Sequence, residues 1–232
     1  MLTAVTVRTE STESLLGSLN DFERKNAPKT LYVVGDVNLL KLPSVSIVGS
    51  REASPDALKR AHKLCRLLAE DQIVIVSGLA RGIDAMAHNT AMEVGGKTIA
   101  VLGTPVDEYY PSEHKDLQDT IMSKHLVLSQ FAPGSPTRRT NFPQRNRTMA
   151  LISDATVIVE AGESSGTLSQ GWEALRLGRP LFIMQSVVKS GRYQWVKEMI
   201  DYGARSLNNV SDVLEVIPPV MTEQDYVAAA AF

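Results

Sequence analysis

Short β-branched runs recur along the chain: "SVSIV" at 44–48, "IVIV" at 73–76, "TIAVL" at 98–102, "LVL" at 126–128, "TVIVE" at 156–160 and "LFIM" at 181–184. Runs that are apolar without alternation predict strands covered on both faces. Between them the apolar positions fall three and four apart, as in helices. The clearest helix takes Ser54 as N-cap and Pro55 as its first residue, and sets Leu58, Ala61, Leu64, Cys65 and Leu68 on one stripe. Cys65 therefore reads as core. Repeated strand–helix–strand units imply right-handed crossovers, hence an α/β fold with a mostly parallel sheet and helices on both faces. Ligands of such folds bind beyond the carboxyl ends of the strands.

The 232 residues, 44% of them hydrophobic, suffice for one large domain. The expected division is a lead over residues 1–30, a core over 31–216 and a tail over 217–232. In the lead, "ESLLGSLNDF" offers one modest apolar face, which predicts a short helical segment rather than a domain. No segment approaches 18 uninterrupted apolar residues, and "MLTAVTVRTESTE" lacks a basic region followed by an apolar run. A cytoplasmic protein without membrane contact is expected. One cysteine excludes an internal disulfide, and His62, His88, His114 and His125 show no ligand-like spacing with it, so neither metal nor cofactor is expected.

Charge changes this picture at one place. The chain carries 24 Lys plus Arg against 26 Asp plus Glu, a net charge of -2, which by itself selects no anionic partner. From Thr120 to Ser153, however, there is no acid, while Lys124, Arg138, Arg139, Arg145 and Arg147 are cationic. Such segregation favours an anionic ligand at this segment.

The strand ends point the same way. Strand 44–48 runs into Gly49, Ser50 and Arg51; strand 73–76 runs into "SGLARGID", with Ser77, Gly78, Arg81 and Gly82; strand 156–160 runs into "AGESSGTL", with Ser165, Gly166 and Thr167. Each glycine-bearing loop precedes a helix, so backbone can approach a phosphate closely and a helix N-terminus can face it. Two familiar phosphate motifs do not fit. "VGSREAS" has one glycine where a dinucleotide fingerprint needs three, and "GGKT" at 95–98 has Ala91 where a Walker motif needs its first glycine and enters a strand instead of a helix.

In order along the chain, "LYVVGD", "SIVGSREASPDAL", "IVSGLARGIDAMAH", "GGKTIAVLGTPVDEYYP", "NFPQRNRTMALIS", "VIVEAGESSGTL" and "MIDYGA" resemble the core of the DprA/Smf family of DNA-processing proteins, over about residues 30–215. The resemblance implies an extended Rossmann-like fold that binds single-stranded DNA without catalysis, commonly as a homodimer, and aids loading of a RecA-type recombinase during transformation. It implies phosphate contacts at Arg51, in the "SGLARGID" loop and along "NFPQRNR", which contains Asn141, Phe142, Arg145, Asn146 and Arg147. Here "SGTLSQ" and "FIMQS" depart from the usual "SGSLxTA"-like loop and the "PG" after the next strand. The lead is shorter than the family's helical domain, and the residues after Ile217 are too few for a winged helix, so a core-only version is expected.

The residues themselves suit this chemistry. Single strands are held by cations that track the phosphates and by planes on which bases stack. Pro143 restrains Phe142 toward extended geometry, which either presents the ring or leaves it as core. Arg145 and Arg147, two apart on a helix, point to different sides; one can meet DNA while the other braces a loop or an acid such as Glu160. Asp84 and His88, four apart, form either an acid/base couple or a loop-fixing carboxylate beside a packed histidine. Two rivals remain. A nucleotide phosphoribohydrolase of the related LOG type places a Glu in a "GGxGTxxE"-like loop where this chain has Gln170, with Glu160 or Glu173 as possible substitutes. A small-nucleotide sensor would use the same loops without turnover. For a homodimer, the expected surface is residues 181–215, where "LFIMQSVV" concentrates large apolar groups.

Overall fold

The computed structural model describes residues 6–219. The chain opens with β1 (Arg8–Ser11), α1 (Thr12–Leu16), α2 (Asp21–Asn26) and β2 (Thr30–Gly35), followed by β3 (Ser44–Val48), α3 (Pro55–Glu70), β4 (Val74–Ser77) and α4 (Ile83–Glu93). It continues through β5 (Thr98–Leu102), α5 (Lys115–Lys124), β6 (Leu126–Ser129), α6 (Asn141–Ile152), β7 (Ala155–Ile158) and α7 (Thr167–Arg176). It closes with β8 (Leu181–Met184), α8 (Gln185–Ser190), α9 (Gln194–Asp201), β9 (Arg205–Leu207) and α10 (Ser211–Leu214). All six runs expected to be strands are strands, with boundaries moved by one or two residues at β4, β6 and β7.

The nine strands form one sheet in the order β1-β2-β6-β5-β4-β3-β7-β8-β9. Every pairing from β6 to β9 is parallel, while β2 is antiparallel to both its neighbours. This is a Rossmann-like α/β fold. Alternation along the strands sorts the core into two layers. Val48, Val76, Val101 and Ile158 face Met149 and Ile152 of α6 and Met199 of α9. Ile47, Ile75 and Val157 face Ala61 and Leu68 of α3 and Ala87 of α4. On that second side Leu102 and Val127 continue the layer under Ile121 of α5. The crossovers run outward from β3 through β4, β5 and β6, then restart at β7 and run the other way. The β3/β7 boundary is therefore the switch point at which α/β sheets leave a crevice.

Within α3, Ser54 accepts from the Ala57 amide and Pro55 occupies the first turn, as the sequence predicts. Cys65 is fully buried, and burial pushes its thiol pKa up, which leaves it inert. The N-terminal lead is only partly as expected. It supplies two short helices, but also the edge strand β1, whose "RTES" carries no apolar alternation. Backbone pairing with β2 recruits it, helped by the Arg8 guanidinium, which donates to the Gly35 carbonyl at 2.8 Å, and polar residues suit an exposed edge. The Thr12 amide donates to the Lys29 carbonyl within the lead, and Glu23 of α2 pairs with Arg179 at 3.1 Å, which ties the lead to the core.

Asp84 and His88 do not form a couple. The His88 ring is buried with Nδ1 at 2.7 Å from Thr98 Oγ1, and burial drives its pKa down to about 3, with the charges of His114, His125 and Arg145 acting in the same direction. Unfolded, it takes up a proton near the ordinary value of 6.5. Between those limits the unfolded chain binds more protons, so stability falls as pH drops below 6.5. His88 alone should make the protein about 2 kcal/mol less stable at pH 5 than at pH 7. Urea unfolding of the parent and of His88→Gln at both pH values measures this; a variant with the parent's pH dependence would disprove it.

Candidate nucleic-acid interface

The loops after β3 and β7 meet across the switch point and are stitched together there. The Ser50 amide donates to the Glu160 carbonyl at 2.8 Å, Thr167 Oγ1 donates to the Gly49 carbonyl at 3.0 Å, and the Glu160 carboxylate accepts from both the amide and the hydroxyl of Ser54 at 2.8 and 2.6 Å. Glu160 is thus engaged by the β3 loop, not by an arginine. Glycine is required where the loops touch. A Cβ on Gly49 would lie 2.5 Å from Ile83 Cγ1, and one on Gly82, at φ 72°, would lie 2.3 Å from the Ser50 carbonyl oxygen. The first two glycine loops therefore pack on each other, as their shared edge predicts.

Above this stitching lies a cavity of about 460 Å³, lined by Gly49, Ser50 and Arg51 on one side and by Ser165, Gly166 and Thr167 on the other. Phe142 and Asn146 close it from α6, and Gln170 from α7. The first turns of α6 and α7 both open onto it, and helix N-termini favour negative charge.

Arg145 is the residue whose placement departs most from a ligand-facing role. Its side chain is buried; Nη1 donates to the carbonyls of Gly78 at 2.5 Å and Val101 at 2.8 Å, and Nε donates to Asn146 Oδ1 at 2.9 Å. A Cβ on Gly78 would stand 1.9 Å from that guanidinium, so only glycine admits it. Asp84 completes the arrangement by accepting from the amides of Gly78 at 3.2 Å and Ala80 at 3.4 Å. Burial pushes the Asp84 carboxyl pKa up and the Arg145 pKa down, and the attraction between the two opposes both shifts. Arg145 thus ties the loop after β4 to strand β5. The spacing of Asn141, Arg145, Met149 and Ile152 puts it on the buried face of α6, a periodicity visible in the sequence.

The other expected contact residues divide between core, cavity wall and surface. Ser77 is fully buried, its hydroxyl donating to the Ile47 carbonyl at 2.7 Å. Asn141 is buried and lines neither this cavity nor its neighbour. Asn146 does line the cavity, with its amide donating to the Gly166 carbonyl at 3.1 Å and to Ser169 Oγ at 2.6 Å. Arg147 turns away to Glu173 at 3.4 Å. Arg81 is exposed and paired with Glu113, which lowers the Glu113 pKa.

Exposed cations remain. Among the described residues Arg51, Arg138 and Arg139 have no ion-pair partner. Arg51 lies over the Phe142 ring, 5.8 Å from its centroid. Arg138 and Arg139 ride on the loop between β6 and α6, whose backbone is tethered by Asp107 to the Gly134 amide and, through the Thr137 hydroxyl, by Glu108. Phe142 is half-buried in the first turn of α6 and is not extended. Pro143 is tolerated there because first-turn amides have no helical acceptor. Its neighbour's ring, that of Phe142, packs on Gly103 and on Tyr110, with the two ring centroids 5.5 Å apart. The sequence assigns Tyr110 no site role; an aromatic doublet before a proline is the signal it carries.

The family model of DNA recombination-mediator protein A matches residues 12–218. The chain belongs to that family. It is 41% identical over 189 residues to the DNA processing protein DprA of Streptococcus pneumoniae, covering 82% of this chain and 67% of that protein. It is 32% identical over 189 residues to the protein Smf of Escherichia coli, covering 81% of this chain and 50% of the relative. The chain thus spans about half to two thirds of these relatives' length. The X-ray structure of S. pneumoniae DprA superimposes with a TM-score of 0.79 at 36% identity, covering 92% of this chain and 75% of that one. A DprA structure from Helicobacter pylori, determined for its single-stranded DNA binding mode, gives 0.77 at 30% identity, covering 91% and 95%. A molybdenum cofactor carrier protein from Chlamydomonas reinhardtii, at 20% identity and TM-score 0.52, shares the fold alone.

Removing the buried guanidinium should cost far more stability than removing an exposed one. Arg145→Ala leaves two carbonyls and Asp84 without their partner and should destabilise by about 3 to 5 kcal/mol. Arg51→Ala should change stability by less than about 0.5 kcal/mol. Chemical denaturation of both variants tests the assignment, and equal losses would refute it.

Proposed function

We propose that the crevice at the β3/β7 switch point and the arginines beside it bind single-stranded DNA, and that the chain holds the strand without reacting with it. The observation that carries this reading is the Phe142 ring, fixed between Arg51 and Tyr110 at the cavity wall. Unpaired bases can stack on such a ring, and phosphates can meet Arg51, Arg138 and Arg139. The single-stranded DNA binding mode studied in the H. pylori relative supports it. A non-catalytic role is favoured by the carboxylates. Gln170 is a buried amide, Glu160 is engaged with Ser54, and Glu173 with Arg147 and Arg176. None of the described helices is long and apolar enough to cross a membrane. A cytoplasmic setting and delivery of the strand to a RecA-type recombinase complete the reading, in keeping with the family's description as a recombination mediator.

With Arg145 excluded, about three phosphate contacts are expected. The logarithm of affinity for an oligothymidylate should then fall against the logarithm of salt with a slope of about -2, and Arg51→Ala should flatten it to about -1.4. Phe142→Ala should cost about 1 to 3 kcal/mol of binding and leave the slope unchanged, because a ring releases no counterions. Binding to a blunt duplex should be weaker at the same salt. Tighter duplex or mononucleotide binding would overturn the reading in favour of another ligand.

A homodimer through the α9 region is part of the proposal; of the expected anchors, Leu181, Phe182, Ile183 and Val187 are buried core and offer it no surface. Ile200 and Tyr202 there are 37% and 74% exposed, and Tyr202 meets Trp172 edge-on at 5.4 Å. Large apolar groups so placed suit burial against a second copy. Light scattering should give twice the chain mass, reduced to one chain by Tyr202→Arg; a monomer at all concentrations would dismiss the dimer.

A further inference from the structure

Phe142 has a second face, and a second cavity lies against it. This cavity, about 290 Å³, shares Arg51, Ala80, Phe142 and Arg145 with the first, so those four side chains form a partition between them. Its wall runs on from Phe142 to Tyr110, which is 47% exposed and whose ring touches that of Phe142 at a tilt of 48°. The neighbouring Tyr109 is committed elsewhere: its hydroxyl donates to Asp119 at 2.7 Å, and Lys115 sits 4.3 Å from its ring centroid. Tyr110 makes no side-chain hydrogen bond among the described residues, which leaves a flat apolar surface facing open space. At the inner end a Cβ on Gly103 would stand 2.6 Å from Phe142 Cδ1, so glycine lets the ring lie directly on the backbone.

The charge at the rim separates a base from a phosphate. Arg81 and Glu113 line this cavity as an ion pair and largely cancel, and Arg145 behind them is compensated by Asp84 and two carbonyls. A second phosphate would meet no free cation there apart from Arg51 on the partition. A neutral planar group would meet two aromatic rings. The volume is that of the smaller ligand pockets, about 300 Å³.

Resting on the reading that the crevice holds single-stranded DNA, we infer that this cavity is a second nucleobase subsite: adjacent nucleotides place their bases on opposite sides of Phe142, with Arg51 at the phosphate that joins them, and Tyr110 stacks the base in the second cavity. The partition then spaces consecutive bases apart instead of letting them stack on each other. That spacing disfavours a duplex, whose bases are already paired and stacked.

The test uses the full chain with oligothymidylates of about six to eight nucleotides, single abasic positions moved along the strand, and a 2-aminopurine reporter. Tyr110→Ala should weaken binding about 5- to 100-fold, with thermal stability and salt slope unchanged, and Tyr110→Phe should restore it. In the parent, two adjacent abasic positions should each weaken binding, and in Tyr110→Ala only one of them should still matter. Reporter fluorescence at the second position should be quenched by the parent and not by Tyr110→Ala. If the parent binds the strand but Tyr110→Ala matches it, or only one position is sensitive in the parent, the second subsite is wrong and the single-stranded DNA reading stands. If the parent binds no oligothymidylate, that reading itself fails.

Discussion

A buried guanidinium governs the geometry of the carboxyl edge. Arg145 reaches the carbonyls of Gly78 and Val101 from α6, while Asp84 gathers the amides of Gly78 and Ala80. A buried charge is tolerated only when paired and hydrogen-bonded, so each of these contacts is obligatory for the others. The loop after β4 cannot shift independently of α6 or of strand β5. Because Phe142 sits one turn ahead of Arg145 on that helix, the same constraint sets where the aromatic ring stands relative to the glycine loops.

The sheet order supplies the second half of the site. Reversal of winding at the β3/β7 boundary parts the loops after those strands, and Glu160, Ser54, Thr167 and Gly49 then tie them back across the gap. The crevice is formed before any ligand arrives. Little backbone ordering remains to oppose binding, which favours a site that must accept many different sequences.

The six central strands are legible in the sequence because coverage on both faces demands uninterrupted apolar runs. β1, β2 and β9 are not: β1 and β9 are edge strands of four and three residues held mainly by backbone pairing that any sequence can make, and β2, though apolar, pairs antiparallel outside the strand–helix alternation. The glycine loops are also legible, because close approach leaves only one residue type possible. The arginines are not equally so. Charge alone does not distinguish Arg139, exposed on a loop, from Arg145, buried beneath one; helical phase relative to Met149 and Ile152 does. Tyr110 is hidden for a different reason: its partners Phe142 and Arg51 lie 32 and 59 positions away, a proximity created only by the sheet order.

The tethered loop between β6 and α6 also shapes the protein's electrostatic field. Asp107 holds its Gly134 amide and Glu108 its Thr137 hydroxyl, yet Arg138 and Arg139 are exposed on it a few residues before Phe142 of the crevice wall, on a chain whose net charge is -2. The excess positive charge on one edge and the negative remainder give the molecule a dipole moment. A polyanion drifting past would feel a torque before it touches anything, turning this edge toward it and repelling it elsewhere. The encounter is thereby oriented at a distance of about one Debye length, and the search for the crevice shrinks from the whole surface to one rim.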